Sequence, residues 1–373
     1  NNIIDGYIIH SEDITEERRR QNEIEYVSNH DYLTDLFNRR YIVNAFDAYV
    51  KIGLSSIGLM MIDINGLKLI NDAYGHVIGD ETIKAVSNIL MQVFDKEEIV
   101  ARIGGDEFAV LLTNKTFEEI QVYKEKLVEL AEDVKINAIQ VSLAIGYEIF
   151  NEDEKDINEL LSRAEKHLYR HKVTVGESVR NHAIAAILNT LTDKYKEEKI
   201  HSENVSHYCK QMGTALGLNK EEIDLLGLAG MYHDIGKISI PDAILNKPGK
   251  LTIEEYDIIK THTQIGYKIL KAADEYSGLA EYALSHHERW DGKGYPKGLA
   301  GEDIPLYSRI ICISDAFEAM TADRPYRKAI QFNDAVNELY RCSGTQFDSK
   351  LVEIFVKDVL SKEFPKHKLV IEN

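Results

Sequence analysis

Apolar positions along the chain follow two different periods, and the change from one to the other divides it. The opening run Ile3 to Ile9 reads as a strand and passes into a charged stretch. There Asp13 or Thr15 can cap a helix reaching about Val27, with Glu16 and Glu17 in its first turn and Arg18 to Arg20 behind them. Its apolar positions Ile14, Ile24 and Val27 keep no heptad, so it reads as a connector rather than a coiled coil. From Leu33 to about Lys172 strands and helices alternate. The pattern predicts an amphipathic helix near Arg39 to Val50, a buried strand from Ile57 to Ile64 and a helix from about Asp80 to Phe94. Strands Ile99 to Ile103 and Glu107 to Leu112 follow, joined by Gly104-Gly105-Asp106. That is a hairpin signature, because a glycine pair supplies the positive φ of a tight turn. Helix Phe117 to Asp133, strand Gln140 to Ile149 and helix Ile157 to His171 complete an α/β unit, and Val173 to Ser178 breaks the pattern. From about Asn181 onward helical spacing dominates, and 10 of the 13 histidines lie from His167 onward.

Composition narrows the chemistry. With 44 Lys and Arg against 62 Asp and Glu, the net charge of −18 disfavours coating nucleic acid or an anionic membrane, both of which need a positive surface. The hydrophobic fraction of 44% with 28% charged residues suits packed domains, and 373 residues suggest two or three of them. Cys209, Cys312 and Cys342 form no CxxC pair, which fits a reducing cytosol. No apolar run approaches the ~18 residues of a bilayer span. The first residue is Asn1 rather than Met, so the sequence reads as a piece of a longer chain, with room upstream for a sensor segment or membrane anchor.

Two constellations carry chemistry. Asp63 ends an apolar strand, and Asp106 and Glu107 stand at the glycine hairpin; beside one another they offer oxygen ligands suited to Mg²⁺ and substrate phosphates. The loop Asn65-Gly66-Leu67-Lys68 could present backbone N–H groups to the same phosphates. In the helical half, Glu197, His201, His233, Asp234, His262, His286, His287 and Asp315 exceed what core packing needs. Glu197 and His201, four apart, share a helix face, whereas consecutive helical residues diverge by roughly 100°, so His286 and His287 are expected to address different ions. Imidazole and carboxylate without thiolate suit Fe or Mn. A metal pair of this kind favours phosphodiester hydrolysis, with Lys237, Arg324 and Arg327 as cations for phosphate.

The spaced motifs of the first half, from Asp31-Tyr32-Leu33-Thr34 through Asp63-Ile64-Asn65-Gly66-Leu67-Lys68, Asn71-Asp72 and Gly79-Asp80 to Arg102-Ile103-Gly104-Gly105-Asp106-Glu107-Phe108, resemble the GGDEF family of diguanylate cyclases. The resemblance covers about Asp31 to Lys172 and implies a palm-like α/β domain that condenses two GTP into cyclic di-GMP. Carried over, Asp63 and Asp106 would bind Mg²⁺, and Glu107 would assist metal binding or deprotonation of the attacking hydroxyl. Asn71 and Asp80 would read guanine, and Lys68 and Lys172 would contact phosphates. Asn65 and Leu67 depart from a frequent Asp and Phe. The product-inhibition motif is absent, since Asp95-Lys96-Glu97-Glu98 stands in its place.

The second half, with His233-Asp234-Ile235-Gly236-Lys237, Ile259-Lys260-Thr261-His262, His286-His287-Glu288-Arg289-Trp290-Asp291-Gly292-Lys293-Gly294-Tyr295-Pro296 and Asp323-Arg324-Pro325-Tyr326-Arg327, resembles the HD-GYP family of cyclic di-GMP phosphodiesterases over about Leu188 to Leu360. That implies an all-α HD-superfamily domain holding two or three Fe or Mn ions, three where Glu197 takes part. It also implies that Asp234 and Lys237 act in catalysis and that Tyr295, Arg324 and Arg327 contact substrate. Glu318 stands where Asp is usual, outside the ligand set. The opening residues resemble the exit of a PAS sensor domain.

The expected order is therefore a PAS remnant over 1–15, a helical connector over 16–30, a GGDEF domain over 31–175, a linker helix over 176–187 and an HD-GYP domain over 188–370. The expected activity is hydrolysis of cyclic di-GMP to pGpG or GMP. The first half either synthesises the same messenger or serves only as a GTP-binding regulator, and another cyclic dinucleotide such as cyclic GMP-AMP is an alternative substrate. A homodimer through the GGDEF domains or the connector is expected, in the cytoplasm and without nucleic acid.

Overall fold

The computed structural model describes residues 15–365 apart from 55, 96, 138, 151–156, 195 and 323–327, and it leaves out the side chains of residues 177, 192, 194, 196 and 197. The PAS-like opening, Arg324, Arg327 and the Glu197 side chain thus lie outside the described residues. The chain forms two compact units, one of residues to Ile64, Ile83–Ala131 and Leu143–Lys172, the other of Asn65–Thr82, Glu132–Ser142 and Val173 onward.

The elements of the α/β part are α1 Thr15–Asn29, β1 Phe37–Asn38, α2 Arg39–Lys51, β2 Ile57–Ile64, α3 Leu67–Tyr74, α4 His76–Val93, β3 Ile99–Arg102, β4 Glu107–Thr113, α5 Phe117–Glu132, β5 Lys135–Ile136, β6 Ile139–Gln140 and β7 Leu143–Ile149. Five strands form a sheet in the order β1-β3-β4-β2-β7, antiparallel except where β1 runs parallel to β3. Every residue of β2 is buried, as its unbroken apolar run predicts for a strand covered on both faces. Leu59 and Met61 pack with Ile42 and Phe46 of α2, while the alternate position Gly58 faces Ile120 of α5. The sheet thereby delivers Asp63 to the end of an interior strand, directly opposite Glu107 of β4.

A single helix, α6, runs from Ile157 to Lys194, so the break expected at Val173 to Ser178 and the separate linker helix do not occur. One glycine and a few β-branched residues cost a helix only about 1 kcal/mol or less each, and the apolar positions on either side outweigh them. Sequence reading also missed α3. Gly66 adopts the left-handed conformation at its N-cap, so the supposed loop becomes a helix start. The strand expected over Gln140 to Ile149 is divided, because β6 pairs with β5 and β7 joins the main sheet.

The helical part continues with α7 Lys196–Ala215, α8 Lys220–Tyr232, a 3₁₀ turn Ile235–Ser239, α9 Asp242–Leu245, α10 Ile253–Lys271, α11 Asp274–Ser277, α12 Ala280–Ser285, α13 Leu306–Thr321, α14 Phe332–Arg341, α15 Ser349–Ile354, a π-helical turn Phe355–Leu360 and α16 Ser361–Glu363. Val205, Met212, Leu226, Ile269, Ile313, Phe317 and Phe355 share its core. Capping boxes start α8 (Asn219 with Glu222), which leads into His233 and Asp234, and α10 (Thr252 with Glu255), which carries His262.

Gly236 brings the 3₁₀ turn onto α10 closely enough that a Cβ there would lie 1.9 Å from the His262 carbonyl oxygen and 2.5 Å from Gly266 N. Gly236→Ala is expected to lower stability by about 3 kcal/mol through overpacking against backbone. Gly278→Ala, at a helical position with open space, is expected to change it little. Denaturant unfolding of the metal-free proteins checks the contrast.

Candidate functional site

The helical unit gathers His201, His233, His262, His286 and His287 with Asp234 and Asp315 at one centre. Asp234 follows α8 and sits among four imidazoles. Its Oδ1 lies 3.2 Å from His262 Nε2 and 3.8 Å from His286 Nε2, and its Oδ2 lies 3.2 Å from His233 Nε2 and 3.7 Å from His201 Nε2. The ligand atoms fall into overlapping groups: Asp234, His262, His286 and His287; His201, His233 and Asp315; and Glu198, His201 and Asp234. One carboxylate is thus common to both sides.

The tautomers follow from local helix geometry. His233, His262 and His286 each donate Nδ1–H to the carbonyl three residues earlier, at 2.8, 2.6 and 2.7 Å. Each therefore turns an Nε2 lone pair inward. His262 Nε2 and His286 Nε2 approach to 3.4 Å, and His233 Nε2 and Asp234 Oδ1 are buried with no hydrogen bond. Lone pairs facing one another and a carboxylate oxygen in a buried space fit a cation, and nitrogen with oxygen donors fit a divalent transition metal.

Burial opposes ionisation of Asp234, but the neighbouring His233 and Lys237, with His201 nearby, outweigh it and hold its carboxyl well below the usual range. Burial likewise opposes protonation of Lys237, yet Asp234 and Glu198 raise its pKa. Its Nζ stands 2.7 Å from Asp234 Oδ2 and 3.1 Å from Glu198 Oε1. Burial and then the adjacent His287 push His286 well down, and burial with His262 pushes His287 to about 4, so both stay neutral and able to ligate at neutral pH.

His286 and His287 do not divide between two sides as helix geometry predicted. Helix α12 ends at Ser285, His287 lies beyond it, and the two rings sit 4.0 Å apart in the same group with Asp234. Tyr295 follows, its ring 4.9 Å from that of His287. Three acidic residues that sequence reasoning left out of the site belong to it. Glu198 holds Lys237. Glu288 accepts from Lys297 N and Leu299 N and so ties down the loop bearing Tyr295. Glu318 accepts from His201 Nδ1. Nearness to a histidine, at i−3 from His201 and at i+1 from His287, was the available signal for the first two.

Family descriptions match both parts: "Diguanylate cyclase, GGDEF domain" over residues 28–178 and "HD domain" over residues 185–351. The chain joins a GGDEF domain to an HD domain. A cyclic di-GMP phosphodiesterase response regulator, RpfG, of Xanthomonas campestris pv. campestris is 42% identical over 157 residues, covering 42% of this chain and 42% of that protein. A cyclic di-GMP phosphodiesterase of Thermotoga maritima is 40% identical over 183 residues, covering 48% of this chain and 49% of the other. A 3′3′-cGAMP-specific phosphodiesterase of Vibrio cholerae is 37% identical over 173 residues, covering 46% of this chain and 33% of the other. The chain therefore spans a third to a half of the length of these relatives. Among the described residues no helix is long and apolar enough to cross a membrane.

In the GGDEF domain, Asp63 is buried opposite Glu107, and the Asp106 carbonyl accepts from Ile64 N at 3.1 Å, so the sheet brings the three acidic residues to one end. Neither Gly104 nor Gly105 takes a positive φ. The expected reason for the glycine pair is thus corrected: a Cβ on Gly104 would lie 2.7 Å from Glu107 Oε2 and displace that side chain, whereas Gly105 faces open space. Arg102 donates to Gly105 O at 2.8 Å and pairs with Asp31 at 3.0 Å, bracing the turn. Lys172, expected at phosphates, has its Nζ 2.6 Å from Asp63 Oδ2. Asn71 and Lys68 lie on α3 and Asp80 on α4; Gly79 abuts Asn71 Oδ1, which is buried without a hydrogen bond.

Burial raises the Asp63 carboxyl to about 6; Lys172 opposes this, and Asp106 and Glu107 add to it. Because the folded pKa exceeds the unfolded one, the neutral form favours folding at low pH, and that stability is lost as pH rises from about 4 through 6. Asp63→Asn is expected to be more stable than the parent by up to about 3 kcal/mol at pH 7.5 without metal, with the difference vanishing near pH 4. Thermal unfolding of the GGDEF domain across this range measures it.

Proposed function

We propose that the HD domain hydrolyses a phosphodiester bond of cyclic di-GMP, releasing pGpG or GMP, with two divalent ions of Fe or Mn. The observation that carries this reading is the shared carboxylate: Asp234 turns one oxygen to His262 and His286 and the other to His201 and His233. His262, His286 and His287 would hold one ion, His201, His233 and Asp315 the other, with Asp234 common to both. When bound, such a pair supplies Lewis acidity to the phosphoryl group and lowers the pKa of water beside it.

The chain's own residues do the rest. Nδ1 hydrogen bonds keep the imidazoles in the orientation that presents Nε2, so no reorganisation is needed on binding. Lys237, held by Asp234 and Glu198, supplies fixed positive charge next to the shared carboxylate, suited to a phosphate oxygen or the departing oxygen. Tyr295, against the His287 ring, would contact the nucleotide, with Arg324 and Arg327 as further phosphate contacts. A relative named as cGAMP-specific supports a second substrate, 3′3′-cyclic GMP-AMP.

For the GGDEF domain the reading is GTP binding with Mg²⁺ through Asp63, Asp106 and Glu107, and synthesis of cyclic di-GMP from it. Lys172 would exchange Asp63 for a phosphate, and Asn71 and Asp80 would select guanine.

Anaerobically purified protein supplied with Mn²⁺ or Fe²⁺ is expected to linearise cyclic di-GMP. Both His233→Ala and Asp234→Ala should lose at least about 100-fold in turnover. Chromatography of the products checks this, with 3′3′-cyclic GMP-AMP run in parallel. Metal-loaded parent that leaves cyclic di-GMP intact would overturn the substrate, and unchanged turnover in both variants would overturn the site.

A further inference from the structure

The histidines at the centre are not held alike. Three of the four whose Nε2 approaches Asp234 satisfy Nδ1 with a carbonyl of their own chain segment, three residues earlier: Gly230 for His233, Ile259 for His262 and Ala283 for His286. His201 differs. Its Nδ1–H meets the carboxylate of Glu318, which arrives from α13, 117 residues further along the chain. Glu318 is 3% exposed, and Asn204 Nδ2 donates to its other oxygen at 3.2 Å. Asn204 lies three residues after His201 on α7, so one face of α7 presents both groups to the same carboxylate. Asp315, one turn before Glu318 on α13, faces the other nitrogen of the same ring, at 3.3 Å from Nε2.

We propose that Glu318 is a positioning residue that makes the two halves of the centre unequal, so that the half built from His201, His233 and Asp315 holds its divalent ion more tightly because of this contact. The claim rests on the metal-centre part of the proposed function and is independent of the substrate. A carboxylate behind an imidazole enriches the opposite nitrogen more than a neutral carbonyl does, and it fixes the ring with a charge-assisted bond. The His262, His286 and His287 half has no such partner on His262 or His286, whose Nδ1 atoms are committed to backbone oxygens. The two carboxylates of α13 divide the work on one ring, Asp315 toward the ion and Glu318 behind the imidazole. A side chain serving only to satisfy a buried N–H would affect the stability of the metal-free protein and leave ion affinity alone.

The test reads metal binding, not turnover. In a chain carrying His262→Ala and His287→Ala, the His201 half is left to bind, and Mn²⁺ affinity is measured by equilibrium dialysis with metal analysis. Adding Glu318→Gln is expected to weaken binding about 10- to 100-fold, and Glu318→Asp, which keeps the charge, should recover part of that loss. In the reciprocal background, His233→Ala with Asp315→Ala, Glu318→Gln should leave Mn²⁺ affinity within about twofold of its own parent, since the loss belongs to one half. Unchanged affinity in the first background, or an equal loss in both, overturns the proposal. Should circular dichroism show Glu318→Gln unfolded, Asn204→Ala, which removes one donor to the far oxygen of Glu318, replaces it. A weakening of at least a few-fold confined to the first background is then expected, and parental affinity overturns the proposal. A protein that binds Mn²⁺ as expected but leaves cyclic di-GMP intact would refute the substrate reading alone.

Discussion

A single carboxylate, that of Asp234, has to be both buried and ionised, and the helical domain is arranged around that requirement. Burial by itself would neutralise it. The neighbouring imidazoles and the Lys237 ammonium reverse the outcome and keep it charged well below the ordinary range. With one of its oxygens free of any hydrogen bond, Asp234 stands between two groups of imidazole nitrogens, His262 and His286 on one side and His201 and His233 on the other. The supporting parts follow from it: the close contact of Gly236 with α10, the capping box that starts α10 and the carbonyls behind three histidines all fix atoms that must meet these two oxygens.

Asp63 in the GGDEF domain makes an informative contrast. It too is a buried carboxylate beside a lysine, with Lys172 Nζ at 2.6 Å. Its surroundings beyond the lysine are acidic, Asp106 and Glu107, where those of Asp234 are imidazoles, and its pKa moves up instead of down. Burial sets the scale of both shifts, and neighbouring charge decides their sign. For Asp63 a cation would relieve burial and acidic neighbours together. Near Asp234 a second carboxylate, Asp315, faces the same imidazoles, and it too is held far below the usual range despite burial, by the His201 ring 3.3 Å away.

Much of this was legible in the residues. The apolar run Ile57 to Ile64 became an interior strand with those bounds, and the hairpin after Ile99 formed as expected, because both patterns are local and agree with their tertiary setting. His201, His233, Asp234, His262, His286, His287 and Asp315 were all legible as a ligand set, and the structure brings them together. What sequence spacing could not supply was the end of a helix and the partner of a side chain. His287 joins His286 because α12 stops at Ser285. Glu318 matters because α13 lies against α7, a contact between residues far apart in the chain. The glycines of the hairpin were read for backbone freedom, yet neither has a positive φ, and what Gly104 supplies is space beside Glu107. The continuous α6 was lost for the opposite reason: local propensity argued for a break that packing on either side overrides.

The most direct test of the shared carboxylate is electron paramagnetic resonance of the Mn²⁺-loaded chain, read together with the metal content per protein. The arrangement around Asp234 predicts two Mn²⁺ ions giving an exchange-coupled spectrum, and loss of that coupling in Asp234→Ala. Two magnetically independent ions in the parent, or a coupled pair that survives in Asp234→Ala, would contradict it.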